Sequence, residues 1–209
     1  MASEQYWNKY YGESGEFSAP LVPSQFAAFI ASELTNKTTK IIDFGCGNGR
    51  DSAFFARHGF DVLSVDQSEA AINKCKKTAT PKQHFICSSI GEADLAQKIK
   101  DAFVASGDDL TIYARFFIHA IDEPTQAKFL ELCKELLEHS GRVALEFRTD
   151  KDQAQAKITP THYRRFVNPA QFIHDAAIAG FKTKYFVEGF GFAKYANDDA
   201  HVARFILER

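Results

Sequence analysis

The chain has 209 residues, 45% of them hydrophobic and only six of them proline, which excludes a disordered polypeptide and fits one globular domain with a sizeable core. A formal net charge of -2 excludes a chain-wide attraction to nucleic acid phosphates or anionic lipid, so any anion must be bound locally. The polar, aromatic N-terminus and the absence of a long apolar run predict a cytoplasmic protein without a signal peptide or membrane insertion.

The four cysteines predict neither a metal site nor a disulfide framework. Cys46, Cys75, Cys87 and Cys133 are scattered along the chain, without CxxC pairs or neighbouring histidines. Structural zinc sites use short CxxC-type spacings, and disulfide frameworks use many cysteines in a short secreted chain. We expect four reduced thiols, most of them buried.

Two helices are predicted before the first strand. Aromatic residues in the segment 6–11 (YWNKYY) recur at spacings of three and four, so they share one face of a helix. We expect this helix either to act as a lid that closes over a ligand or to pack on the sheet. The segment 21–34 (LVPSQFAAFIASEL) is predicted to be a helix that covers the sheet, with Ser24 as its N-terminal cap.

Short apolar runs then alternate with helical patterns. Strands are predicted over residues 40–44, 61–65, 83–87, 110–116 and 142–147. Helices are predicted from serine caps, glycine stops and apolar spacings over residues 52–60, 68–77, 123–141 and 168–181. This alternation indicates βαβ units on a buried parallel sheet. Two extended segments, 182–195 and 201–209, predict a C-terminal hairpin whose last strand is antiparallel to the others.

A glycine-rich loop follows the first predicted strand. Residues 45–49 (GCGNG) separate that strand from a helix, and glycine lets the backbone N–H groups of such a loop approach a ligand closely. The dinucleotide pattern GxGxxG would need a third glycine at position 50, where this chain has Arg50. A Gly-Lys-Ser/Thr phosphate loop is absent from the sequence as well. An NAD-dependent oxidoreductase is therefore the weakest of the interpretations.

Two aspartates lie on either side of this loop. Asp43 stands at its entrance, where a carboxylate repels a pyrophosphate and attracts an ammonium or a sulfonium group. Asp66 ends the next strand, about 20 residues beyond the first glycine, the separation at which a carboxylate accepts both hydroxyls of an adenosine ribose. A cation and a ribose together describe S-adenosylmethionine (SAM). The alternative, a plain βα turn in which Asp66 caps the following helix, explains the two acids less well.

The segments DFGCGNGRDS and VDQS resemble the cofactor-binding half of the class I SAM-dependent methyltransferases. The resemblance implies a Rossmann-like α/β fold with a mostly parallel seven-stranded sheet, an antiparallel C-terminal strand and helices on both faces. It also implies a single methyltransferase domain over residues 1–209. Within it we expect an N-terminal helical or lid segment at 1–38, a cofactor-binding core at 39–148, and an acceptor loop, last helix and hairpin at 149–209.

The resemblance also implies which residues hold SAM. The loop from Asp43 to Gly49 would hold the methionine portion, Asp66 the ribose, and the residues after the third strand the adenine. At this last place the family often has an acidic residue and this chain has serine, which leaves the adenine contact less defined. The implied cofactor-binding residues are Asp43, Gly45, Cys46, Gly47, Asn48, Gly49, Asp66, Gln67, Ser68, Ser89, Ile90 and Arg115.

Chemistry-bearing side chains follow the fourth and fifth predicted strands, where ligands bind in open α/β sheets. Neither end carries the Asn/Asp-Pro-Pro-aromatic signature of enzymes that methylate nucleic acid bases, so we expect no nucleic acid partner. His119 is the preferred catalytic base, because imidazole accepts a proton near neutral pH, and the alternative is a histidine that bonds the backbone. Glu146 would orient or deprotonate an acceptor hydroxyl, or else pair with an arginine. Arg115 would lie near the transferring methyl group.

The segment 142–165 carries more basic than acidic side chains in a chain that is acidic overall. This local excess predicts an anionic acceptor, because guanidinium groups recognise phosphate and carboxylate through paired N–H donors. The alternative is a solvated charged loop. The predicted acceptor-binding residues are Tyr11, Arg148, His162, Tyr163, Arg164 and Arg165.

The segments YARFFIHAI, EFR and HYRRFV, with the terminal hairpin, are similar to small bacterial methyltransferases associated with capsule or surface polysaccharide synthesis. This resemblance implies an O-methyltransferase for a polar, anionic small molecule such as a sugar, a sugar phosphate or a phosphorylated glycan end. The alternatives are a thiol, an amine or an inorganic oxyanion as acceptor, and a SAM-binding module without catalysis. The oligomeric state is left open.

Overall fold

The computed structural model describes residues 2–13, 22–138, 140–155, 163–195 and 198–209. The chain divides into two compact units, Met1–Thr111 and Ile112–Arg209. These bounds differ from the predicted divisions after residues 38 and 148, and a single methyltransferase domain stays a prediction. In the described ranges, no helix is long and apolar enough to cross a membrane.

The first unit alternates helices and strands. Its helices are α1 (Ala2–Glu13), α2 (Gln25–Glu33), α3 (Arg50–Arg57), α4 (Glu69–Lys77) and α5 (Leu95–Phe103). Its strands are β1 (Lys40–Phe44), β2 (Asp61–Asp66) and β3 (Gln83–Cys87). β1 pairs in parallel with β2, and β2 with β3. The strands β1 and β2 are almost continuously buried, as expected for a parallel sheet that is covered on both faces.

Strand β4 (Leu110–Arg115) begins at the end of the first unit and continues into the second. The elements after it are α6 (Glu123–Leu136), β5 (Arg142–Arg148), α7 (Pro169–Ile178), β6 (Lys182–Tyr195) and β7 (Asp198–Glu208). Short 3-10 turns follow β4 and β5, at Ile118–Ala120 and Asp150–Asp152. β7 runs antiparallel to both β5 and β6, which confirms the predicted hairpin and the antiparallel last strand.

The seven strands form one sheet in the order β3-β2-β1-β4-β5-β7-β6. This arrangement confirms the predicted Rossmann-like fold. Helix α5 has no counterpart among the predicted helices, although Leu95, Ile99 and Phe103 recur every four residues and are buried. The Asp94 side chain makes no capping bond at its N-terminus, so the usual start signal of a helix is missing there.

Serine caps determine where two helices of the first unit begin. Ser24 is the N-cap of α2, and its Oγ accepts from the N–H of Ala27 at 2.9 Å and donates to Asp51 at 2.7 Å. Ser68 caps α4 through a 3.2 Å bond from the N–H of Ala71. The predicted caps at Ser24 and Ser68 are thereby confirmed. The bond from Ser24 to Asp51 also ties the start of α2 to α3.

Four phenylalanines pack together in the core of the second unit. The ring centroid of Phe205 lies 5.6 Å from that of Phe147, 5.1 Å from that of Phe172 and 4.8 Å from that of Phe186. Phe147, Phe172 and Phe205 are fully buried. Because the four rings come from β5, α7, β6 and β7, this cluster holds the hairpin and the last helix together.

We expect Phe205→Ala to lower the free energy of unfolding by about 3–5 kcal/mol, because it removes the ring that contacts the three others and leaves a cavity. Phe190→Ala is the matched control, since Phe190 is exposed on β6 and its loss should cost less than about 1 kcal/mol. Urea unfolding followed by circular dichroism measures both variants. Equal losses in the two would contradict a stabilising role of the cluster.

Candidate cofactor and acceptor sites

The loop between β1 and α3 is held by backbone bonds and by three glycines in the left-handed region. Gly45, Gly47 and Gly49 have φ angles of 68°, 54° and 72°, which other residues adopt only at a cost. The N–H groups of Gly45 and Cys46 both donate to the carbonyl of Val65 in β2, at 2.8 and 3.3 Å. These bonds anchor the loop to β2, beside the second predicted acid.

Asp66 joins the glycine loop to the start of α4. Its Oδ2 accepts from the N–H of Gly47 at 2.9 Å, and its Oδ1 accepts from the N–H of Ser68 at 2.9 Å. Burial raises the pKa of this carboxyl, and the backbone bonds from Ser68 and Gly47 oppose the rise. Ser68 itself supplies the side-chain cap of α4. The predicted ribose carboxylate therefore lies against the glycine loop.

Asp43 is buried near the end of β1. Only 3% of the residue is exposed, and its Oδ2 accepts a 2.5 Å bond from Ser52 Oγ, which itself accepts from Ser64 Oγ at 2.9 Å. Burial raises the pKa of Asp43 to about 8, against the opposing effect of the Ser52 bond. The carboxyl group is therefore mostly protonated at neutral pH. An ammonium group placed beside it would favour the carboxylate.

Helix α1 lies on the glycine loop and on the start of α4. Asn8 Oδ1 accepts from Ser68 Oγ at 2.9 Å. The Tyr11 hydroxyl fills the space in which a side chain at Gly47 would begin. Burial raises the pKa of Tyr11, and the negative charge of Asp66 adds to this rise. Tyr11, predicted to bind the acceptor, thus lies among the predicted cofactor residues, and the motion of a lid stays a prediction.

An acidic side chain absent from the predicted set lies beside the predicted adenine residues. Glu92 Oε1 accepts from the N–H of Ser89 at 3.1 Å, in the turn after β3. This bond and the contact with Lys98 lower the pKa of Glu92. The turn therefore supplies an acidic group where the sequence shows serine. The spacing Ser-x-x-Glu is the signal that could have indicated it, because a glutamate three residues on can reach back to the backbone.

The remaining predicted cofactor residues follow the C-terminal ends of the three parallel strands. Asn48 Oδ1 accepts from the backbone at the start of α3 at 3.3 Å. The Gln67 carbonyl lies 3.8 Å from the Cys87 thiol, which connects the ends of β2 and β3. Ile90 is half-buried in the turn after β3. Parallel pairing thus brings this group to one edge of the sheet, and Arg115 alone belongs to the second unit.

His119, the predicted base, lies in the 3-10 turn after β4. Its ring is buried, and Nδ1 accepts from the N–H of Arg148 at 3.1 Å. Since a backbone N–H can only donate, Nδ1 carries a lone pair, and the neutral ring holds its proton on Nε2. The lone pair that a base would use is already bonded. The geometry therefore favours the alternative in which His119 bonds the backbone.

Glu146, the other candidate for acceptor chemistry, is the centre of a buried charge cluster. Its side chain is fully buried, with Oε1 accepting from Arg115 Nε and Oε2 from Arg204 Nε, both at 2.7 Å. Arg204 lies directly opposite Glu146 in the pairing of β5 with β7. Two guanidinium groups thus occupy both oxygens of the carboxylate. The observed contacts are those of the arginine-pairing alternative, and they orient Arg115.

Phe116 follows Arg115 in a strained backbone conformation. Its φ of 57° is the only positive value of a non-glycine residue in the described part of the chain. The guanidinium carbons of Arg115 and Arg148 lie 4.1 and 5.4 Å from the centroid of its ring. The His119 ring meets it edge-on at 5.3 Å. Such strain costs about 1–3 kcal/mol and clusters at functional sites. Phe116 is therefore a functional candidate, and it lies in the segment YARFFIHAI although it is not among the predicted site residues.

Two arginines predicted to bind an anionic acceptor are held by internal partners instead. Arg148 is buried and donates to Asp152 at 2.7 Å and to Asp198 at 2.5 Å. Arg165 donates to the side chain of Gln126. The two carboxylates beside Arg148 balance its charge. Acceptor binding by Arg148 and Arg165 stays a prediction.

The rest of the predicted acceptor cluster is more open. Tyr163 is 55% exposed, and Arg164 is half-buried. His162 lies outside the described residues. Among the residues with described positions, no group of three or more histidine, cysteine or acidic side chains is placed to hold a metal ion. Acceptor recognition by Tyr163 and Arg164 stays a prediction.

Comparison with known proteins places this geometry in a family. The family model of thiopurine S-methyltransferase (TPMT) matches residues 1–179. The ubiquinone biosynthesis O-methyltransferase of Acinetobacter baylyi is 28% identical over 160 residues, which are 69% of this chain and 64% of that protein. The protein of the same name from Pasteurella multocida is 28% identical over 159 residues, 69% of this chain and 65% of its own. This chain therefore spans less than two thirds of the length of these relatives.

Solved structures share the fold. A SAM-dependent methyltransferase from Anabaena variabilis matches 100% of this chain and 93% of its own with a TM-score of 0.74 and 20% identity. The 1,6-didemethyltoxoflavin-N1-methyltransferase of Burkholderia thailandensis, solved with S-adenosylhomocysteine, matches 99% of this chain and 86% of its own with a TM-score of 0.66 and 16% identity. These likenesses confirm the fold. Since the family model matches residues 1–179 of 209, the chain belongs to the thiopurine S-methyltransferase family of SAM-dependent methyltransferases.

Proposed function

We propose that this methyltransferase acts on a small acceptor whose nucleophilic atom is already ionised at neutral pH. The observation that carries this proposal is that His119 and Glu146, the two predicted bases, are both bonded to internal donors. Transfer from a sulfonium is an in-line displacement with an activated donor, so a thiolate or an acidic hydroxylate needs chiefly alignment. A hydroxyl of ordinary acidity needs a base in addition.

Acidic thiols, which ionise near neutral pH, come first among such acceptors. The thiopurine S-methyltransferase family supports a sulfur acceptor, and the thiolate is the reactive form of a thiol. Acidic hydroxyls come second, since the relatives from Acinetobacter and Pasteurella are named O-methyltransferases. The sugar, sugar phosphate or glycan end predicted from the sequence presents hydroxyls that need a base, so the contacts of His119 and Glu146 weigh against it. A role in polysaccharide synthesis stays a prediction.

The charges of the second unit support an anionic acceptor. Arg115 and Arg204 both pair with the carboxylate of Glu146, which places two guanidinium groups in this cluster. Arg164 stands next to the exposed phenol of Tyr163 in the chain. Guanidinium and phenol donors together suit a thiolate, a carboxylate or a phosphate. We assign acceptor recognition to Arg115, Tyr163 and Arg164.

The donor set of the first unit fits SAM. Asp43 supplies a buried carboxyl for the ammonium group, and Asp66 and Glu92 supply acceptors for ribose hydroxyls and the adenine amine. The glycine loop leaves no room for a side chain at Gly47, where the backbone approaches Tyr11. When bound, SAM would supply an electrophilic methyl group. The residues of this chain bind and orient it.

Cofactor affinity should rise with pH up to about 8. The empty protein holds a proton on Asp43 below the pKa of about 8, and a bound ammonium lowers that pKa, so binding must release this proton. The association constant for S-adenosylhomocysteine should therefore increase from pH 6 to 8, by up to about tenfold per pH unit, and then level off.

Isothermal titration calorimetry in buffers of different ionisation enthalpy measures both the affinity and the released proton. Asp43→Asn should remove the pH dependence. Asp61→Asn is the control, because Asp61 belongs to an exposed pair with Lys82 and should keep it. A flat affinity profile from pH 6 to 8 in the unmodified protein would show that no ammonium binds beside Asp43.

Gly47→Ala should weaken S-adenosylhomocysteine binding at least about tenfold, because its Cβ would overlap the Tyr11 hydroxyl and its φ of 54° is strained for alanine. Removing the hydroxyl as well, with Tyr11→Phe, should recover part of the loss. Gly91→Ala is the control, since its Cβ would meet nothing nearer than 3.8 Å. Unchanged affinity of Gly47→Ala by calorimetry would rule out cofactor binding at this loop.

His119→Asn should retain turnover within about threefold, because the asparagine oxygen can accept the Arg148 N–H as Nδ1 does. His119→Ala should instead lower stability by about 1–3 kcal/mol, since it leaves that buried donor unpaired. Radiolabelled SAM with a panel of thiols, acidic phenols, amines, sugars and oxyanions measures turnover. Its pH profile should follow the pKa of each acceptor.

A large loss of kcat in His119→Asn, with cofactor affinity intact, would restore His119 as the base and refute the proposed acceptor class. Turnover of sugars alone would refute it as well. Tight binding of S-adenosylhomocysteine without turnover of any acceptor class would favour a SAM-binding module without catalysis.

A further inference from the structure

Two thiols meet at the glycine loop. Cys75 Sγ lies 3.4 Å and Cys46 Sγ 4.0 Å from the carbonyl oxygen of Gly47, so both thiols donate to one acceptor. The two sulfurs are therefore neighbours of the same carbonyl oxygen. Cys75 is buried against the loop, and a Cβ added at Gly49 would lie only 2.7 Å from its sulfur.

We propose that Cys46 and Cys75 form an oxidisable dithiol, which hydrogen peroxide converts into a disulfide that closes the loop to the cofactor. The effect on SAM rests on the proposed cofactor site, whereas formation of the disulfide does not. Cys46 lies within the glycine loop and Cys75 in the last part of α4, so the bond would join the loop to this helix. The other two thiols differ, because Cys87 is exposed and Cys133 is buried in the second unit.

The disulfide would change the loop through Gly47. In the reduced protein, the carbonyl of Gly47 accepts from both thiols while its N–H donates to Asp66. A disulfide has no S–H group and brings the two sulfurs to about 2 Å, so this carbonyl loses both donors and Cys46 moves toward α4. The neighbouring glycines permit such a movement, because they tolerate a wide range of backbone angles. This movement also disturbs the hydrogen bond from the Gly47 N–H to the Asp66 carboxylate.

The oxidation balances with one peroxide. The Cys46 thiolate attacks one peroxide oxygen, the O–O bond breaks, and the leaving hydroxide takes up a proton to form water. Cys75 then attacks the resulting sulfenic sulfur, the S–O bond breaks, and a second water leaves. The two thiols lose two electrons, which reduce the peroxide. The contact with Cys75 and burial raise the pKa of Cys46, so the reaction should accelerate as the pH rises above neutral.

The experiment treats the full chain with hydrogen peroxide, then measures the intact mass, maps disulfide-linked peptides and titrates S-adenosylhomocysteine by calorimetry. We expect a loss of about 2 Da, a link between the peptides of Cys46 and Cys75, and an affinity at least about tenfold weaker. Dithiothreitol should restore the affinity. Saturating S-adenosylhomocysteine during oxidation should slow formation of the bond.

Cys87→Ser is the matched control and should keep the full response to peroxide. Cys75→Ser should abolish it, because no partner remains for the Cys46 sulfenic acid. A link to Cys87 or Cys133, sulfinic acid without a link, or a disulfide that leaves the affinity unchanged would overturn the proposal. If Cys75→Ser does not fold, the peptide map of the unmodified chain decides whether Cys46 and Cys75 form the disulfide. If the reduced chain does not bind S-adenosylhomocysteine, the proposed cofactor site fails, and the peptide map still decides whether the dithiol forms.

Discussion

The conformation of the glycine loop in the first unit depends on the backbone groups of Gly47. Its N–H donates to Asp66, which ties the loop to the end of β2. Its carbonyl accepts from the thiols of Cys46 and Cys75, which ties the loop to α4. Its Cα faces the Tyr11 hydroxyl of α1. The lack of a side chain at Gly47 therefore lets these elements meet, because a Cβ would overlap the Tyr11 hydroxyl.

Buried charged side chains of the second unit are paired with one another. Glu146 lies between two arginines, and Arg148 lies between two aspartates, because an unpaired charge is costly to bury. His119 is similarly committed to a backbone N–H. Residue types that suggest catalysis in the sequence therefore have internal hydrogen-bond partners in the structure. The strained Phe116 is held beside them. In the proposed function, ionisation of the acceptor takes the place of a protein base.

Elements with strong local signals are predictable from the chain alone. β1 and β2 are apolar runs bounded by polar residues, and α2 and α4 start at serine caps that bond their first turns. Helix α5 has the same length as these two helices, but its Asp94 makes no side-chain cap. The acidic group near Ser89 is also hard to predict from the sequence at position 89. It belongs to Glu92, three residues later, and a turn brings it back to Ser89.

The parallel sheet, the antiparallel last strand and the glycine loop with Asp43 and Asp66 are predictable from the sequence, because their signals are spacings between near neighbours in the chain. Tertiary structure alone decided which polar groups remain for chemistry. Arg204 neutralises Glu146 because the register of β5 and β7 sets them opposite each other, 58 positions apart in the chain. No local pattern records such a register, so the partners of a buried charge are known only once the strands have paired.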